Sequence, residues 1–178
     1  LLLCMFTIGI GLGSLLCEKL SSRKVEIGLV PFGSIGLTLF AIDLFFASPA
    51  TAPGTGLGLA ALIHVPGTWR VLFDLAMIGV FGGLYIVPLY ALIQTRSDPK
   101  QQARVIAGNN IMNAFFMVIS SILAILCLKT GMTIPQLFML IGVMNAAVAI
   151  YIYRLVPEFL MRFLVWLLVH SIYRLEKK

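Results

Sequence analysis

Few residues in the chain are of types that do covalent chemistry, and their spacing argues against it. His64 and His170 stand apart from other candidate ligands, and no Ser, His and acid arrangement suggests an activated nucleophile. Cys4, Cys17 and Cys127 lie in or at the ends of apolar runs, without C-x-x-C spacing or partnered histidines. They read as small packing residues rather than redox or zinc groups. Gly9-x-Gly11-x-Gly13 mimics part of a dinucleotide fingerprint, but no strand precedes it, and close helix packing is the better account. No catalytic residue, metal site or cofactor is therefore expected.

The other polar or helix-perturbing residues of interest sit inside apolar runs. Gly79, Gly82, Gly83 and Pro88 fall within one of them, removing side-chain bulk and one backbone donor. Such a helix is expected to bend and to border a substrate path, the competing reading being a kinked helix that only packs on its neighbours. Asn109 and Asn113 share one helical face by i, i+4 spacing, beside Asn110, and bond either a ligand headgroup, water or another helix; Asn145 is read in the same way. Asp43 and Asp74 fall near span ends, where a carboxylate needs a partner or water, and interfacial solvation is the favoured reading. No charged cluster within a span marks a proton or sodium site.

The elements that position these residues follow from composition. Hydrophobic residues are 60% of the 178, charged residues 11%, and the mean hydropathy is +1.03, values far from a soluble domain. The net charge of +6 does not suggest nucleic acid, because the bases sit in short gaps between apolar runs instead of clustering on a polar face. A hydrocarbon core of about 30 Å needs about 20 apolar residues as helix. That criterion predicts five spans, over 1–17, 27–47, 71–93, 105–128 and 135–153. The first is apolar from Leu1 with no initiator Met, as expected of the end of a longer helix in a chain cut from a larger protein. The stretch 57–65 is too short to cross, and the breaker-rich 48–56 forms a loop.

Orientation follows from the cationic residues. The loops at 18–24 and 96–104 and the tail from Arg154 hold 11 of the 13 Lys and Arg, leaving Arg70 and Lys129 for the other side. The positive-inside rule places the first group, and the carboxyl terminus, in the cytoplasm. Beyond Pro157 the apolar tail carries Glu158, Arg162, His170 and Arg174 among Trp166 and Tyr173, which predicts an amphipathic helix along the interface rather than a sixth crossing.

The block Gly82-Gly83-Leu84-Tyr85-Ile86-Val87-Pro88-Leu89-Tyr90-Ala91-Leu92-Ile93-Gln94, followed by Ala107-Gly108-Asn109-Asn110-Ile111, resembles the lysophospholipid transporter family of the major facilitator superfamily. The resemblance covers roughly residues 1–155. Glu18-Lys19-Leu20-Ser21-Ser22-Arg23-Lys24 is similar to the superfamily's charged cytoplasmic loop, usually Asp-Arg-x-Gly-Arg-Arg, with Glu for Asp, no Gly and one added residue. The resemblance implies an all-α, polytopic, partial facilitator fold with residues 1–155 as the carboxyl-terminal part of the transporter and 156–178 as an interfacial helix or junction.

It further implies alternating-access movement of lysophospholipids across a bacterial inner membrane. Gly79, Gly82, Gly83, Pro88, Gln94, Asn109 and Asn113 would line the path, and Glu18, Lys19, Arg23 and Lys24 would form the gating loop. Its partners would be membrane lipids, the lysophospholipid substrate and an amino-terminal transporter half. The tail 151–160 looks like the junction in fused proteins where a glycerophospholipid acyltransferase follows, so a membrane anchor for such an enzyme is the alternative. His170 has Leu175 five positions on and does not open the acyltransferase His-x-x-x-x-Asp motif. No enzyme activity is expected of these residues.

Overall fold

The computed structural model of the protein describes residues 1–21, 26–48 and 65–171. The expectations on Arg23, Lys24, the 49–64 loop, the side chain of His170 and the tail after 171 lie outside the described residues. Among the described residues all regular structure is helical: α1 (Leu2–Leu20), α2 (Leu29–Ala47), α3 (Thr68–Arg96), α4 (Gln102–Lys129), α5 (Ile134–Leu155) and α6 (Pro157–Ser171). The first five are long and apolar enough to cross a membrane, as in a multi-pass membrane protein.

The five predicted spans each correspond to one helix, but α3 and α4 run longer than expected, at 29 and 28 residues. They continue past the apolar run into polar residues such as Arg96 and Gln102, because a helix satisfies its own backbone bonds on either side of the hydrocarbon boundary. α3 also runs unbroken through Pro88, so the proline removes one donor without interrupting the element. Hydroxyls within the apolar helices are satisfied locally: Thr7 donates to Leu3 O, Ser14 to Ile10 O and Ser121 to Met117 O. α4 ends at Lys129, and Gly131, just past its Thr130 cap, takes a φ of 92° that is open to glycine at little cost. α5 begins with a capping box in which the Thr133 N–H donates to Gln136 Oε1 at 2.8 Å and Gln136 N–H donates back to Thr133 Oγ1.

α3 is the central element, with α1 and α2 packed along it and α5 packed on α2. Residue numbers rise together along α1 and α3, where Gly9 meets Ala76 and Gly13 meets Val80, so these helices are parallel. They run in opposite senses along α2 and α3, where Gly33 meets Tyr85 and Gly36 meets Phe81. The alternation is that of successive crossings. Leu29, Cys17 and Leu84 form the buried centre toward one end, bordered by Phe32, Phe81 and Trp166. Rings continue along the α2–α3 seam, with Phe32–Phe81 at 5.3 Å and Phe40–Phe81 at 5.5 Å between centroids.

α6, of 15 residues, stays at that same end. Phe163 and Trp166 both pack on Phe32, Glu26 shares a small groove with residues from Met161 to Val169, and Glu158 reaches Arg96 of α3 at 3.9 Å and Arg162 at 2.8 Å. Phe32, Gly28 and Glu26, which meet α6, lie at and just before the start of α2. α4 stands apart: it touches α3 and α5 lightly, and none of its residues is buried.

Candidate functional site

The residues expected to line one path are divided by the fold. Gly79 and Gly83 do share one face of α3, but that face is filled by α1. A Cβ on Gly79 would lie 2.9 Å from Ile10 N, and one on Gly83 would lie 2.8 Å from Ser14 N. Gly9 and Gly13 make the reciprocal approach to Ala76 and Val80, so two small-x-x-x-small faces meet backbone to backbone. This corrects the expectation that Gly79 and Gly83 open a groove toward substrate: the competing reading, helix packing, is the one the geometry supports. Gly82 turns toward α2, where an added Cβ would stand 3.9 Å from Leu37 Cδ2, and Pro88 is buried. Gly11 faces open space, so in the Gly9-x-Gly11-x-Gly13 run only the outer two glycines carry the packing.

Asn109 and Asn113 are brought together elsewhere, in a cleft of about 870 Å³ between α3 and α4. Its polar groups are Tyr85, Tyr90, Asn109, Asn113 and Ser120; the rest of the wall is aliphatic or aromatic, including Leu89, Phe116 and Leu123. Asn113 Nδ2 donates to the Tyr90 hydroxyl at 2.7 Å, bridging the two walls. No charged side chain lines the cleft. A row of hydroxyls and amides on an apolar wall suits an uncharged polar group with a hydrocarbon tail, since a phosphate there would lack a cation. Gln94 lies outside the lining: its side chain is exposed, and its carbonyl accepts a hydrogen bond from Gln102 Nε2 at 3.3 Å, tying α3 to the start of α4.

Of the expected gating loop, Glu18 and Lys19 are exposed at the end of α1, while Arg23 and Lys24 lie outside the described residues. Asn145 is a helix-to-helix residue: its Nδ2 reaches Thr38 Oγ1 at 2.9 Å, Ser34 O at 3.0 Å and Ser34 Oγ at 3.3 Å, with Ser34 buried. The chain's own amide thus takes the partners a ligand would otherwise need.

The fold also joins residues that sequence reasoning kept apart. Arg70 Nε donates to Asp43 Oδ2 at 3.2 Å and its Nη2 donates to Oδ1, pinning α2 to α3. Asp74, one turn further along α3, is 0% exposed. Interfacial solvation, the reading favoured from sequence, therefore does not fit Asp74, which joins Arg70 and Asp43 in a group of charged residues near the end of α2 and the start of α3. The available signal was the i, i+4 spacing of Arg70 and Asp74. Among the described residues no group of His, Cys, Asp and Glu could hold a metal ion. Compared with protein-family models, curated proteins and solved structures, the chain matches none.

Proposed function

We propose that the chain is the carboxyl-terminal part of a facilitator-type transporter that moves lysophospholipids across the bacterial inner membrane, with its carboxyl terminus in the cytoplasm. The observation that carries this reading is the α3–α4 cleft, where Tyr90 and Asn113 set a polar bridge into an apolar wall. An acyl chain fits against Leu89, Phe116 and Leu123, and a glycerol hydroxyl or ester can exchange hydrogen bonds with the bridge. The phosphate must then find its cation beyond this cleft, which is the part assigned to an amino-terminal half. The loose seating of α4 supports the same reading, because a wall of the path has to move when access alternates.

The test is lysophospholipid movement by the complete protein in proteoliposomes, followed by accessibility of a headgroup-labelled analogue. Protein-dependent movement that requires the amino-terminal helices supports the reading. A protein that binds the lipid but leaves its transbilayer distribution unchanged would instead be a membrane anchor.

A further inference from the structure

The Asp43, Arg70 and Asp74 cluster has an acceptor too many. Arg70 spends its fork on Asp43, donating from both Nε and Nη2. Asp74 is fully buried, and among the described residues no donor reaches either of its oxygens. The α2–α3 register that sets Gly33 against Tyr85 and Gly36 against Phe81, and Arg70 on Asp43, brings another acceptor, the Asp43 carboxyl, to face it. Two carboxylates facing each other across a helix interface repel, and one cation cannot neutralise both. A single proton between them removes the conflict: one carboxyl becomes a donor, the other keeps its bonds to Arg70, and the cluster becomes neutral overall.

We propose that Asp43 and Asp74, clamped by Arg70, form a proton-binding site joining α2 to α3. The proton is taken from and returned to water, and no other bond changes. While it is bound the α2–α3 contact is closed at that end; when it leaves, two anions face each other and the contact loosens. Among the described residues the charged groups facing Asp74 are Asp43 from α2 and Arg70 from its own helix. α1 brings no charged residue between Leu2 and Cys17, α5 brings none before Arg154, and His64 lies outside the described residues. The inference rests on this geometry and not on the identity of the transported lipid.

Infrared difference spectroscopy of the complete protein in lipid nanodiscs tests it. At neutral pH the protein should show a protonated carboxyl C=O band that shifts in D2O and disappears as pH rises. Asp74→Asn should abolish that band with helix content and elution profile retained, the amide replacing the acid as donor to Asp43. Asp43→Asn should abolish it too, because Arg70 is then free to pair with an ionised Asp74. Absence of the band in the unmodified protein, or its persistence in a folded Asp74→Asn variant, overturns the proposal.

Discussion

A Cβ built on Gly83 would stand 2.9 Å from the carbonyl carbon of Gly13, so α1 and α3 meet through their backbones with no side chain between them. In lipid there is no hydrophobic drive to bring two apolar helices together, and close van der Waals contact of this kind is what holds them. Gly83→Leu or Gly13→Leu must push the helices apart, and overpacking of this sort costs about 1–3 kcal/mol or more. We expect lower folded yield and a lower unfolding midpoint for both. Gly11→Ala is the control: nothing lies within 4 Å of its added methyl, and helix propensity favours Ala by up to about 1 kcal/mol. A Gly83→Leu variant as stable as the unmodified protein would show that α1 does not sit where described.

Asn145 offers a second, independent measure of packing. Replacing it with Leu leaves Ser34 and Thr38 without their α5 partner. Interhelical hydrogen bonds in membranes are worth about 0.6 kcal/mol on average and about 1.7 at most. The loss expected for Asn145→Leu is therefore about 1–2 kcal/mol, read by reversible unfolding in mixed micelles, with Asn145→Gln recovering part of it. An unchanged unfolding midpoint for the Leu variant would remove the assignment.

The placement of α6 makes a prediction about depth. Trp166 packs on Phe32 at 6.1 Å between centroids, at the end of α2. In a Trp69→Phe background its fluorescence should be quenched by bromines near the lipid headgroups more strongly than by bromines near the acyl-chain ends. Stronger quenching by the deep bromines would mean that α6 enters the bilayer core.

The positive-charge split predicts sidedness. In a background lacking Cys4, Cys17 and Cys127, a cysteine at Ser97, in the connection between α3 and α4, should label only from the cytoplasm, and one at Thr130, after α4, only from outside. Labelling of both from one side would contradict the alternation of crossings.

The helices were legible because length and apolarity are enough to define a span, and each predicted run lies on one helix. What could not be read was which neighbour each helix face meets. The glycines at 79 and 83 mark a face that something approaches closely, and a backbone and a substrate leave the same pattern. Likewise Arg70 and Asp43 are paired only through the register of α2 against α3, which the connection between them does not reveal. Asn109 and Asn113 were placed on one face by helical spacing; that Tyr90 would stand opposite required the fold.

The most direct measure of the central claim is lysophospholipid movement by the complete protein carrying Asn113→Trp, which narrows the α3–α4 cleft and removes its polar bridge. With folded yield unchanged, we expect the rate to fall at least tenfold, about 1.4 kcal/mol or more on the barrier. Gly79→Leu in parallel should lower yield instead, because α1 occupies that face. Normal movement through a correctly folded Asn113→Trp protein would contradict the assignment of this cleft to the lipid.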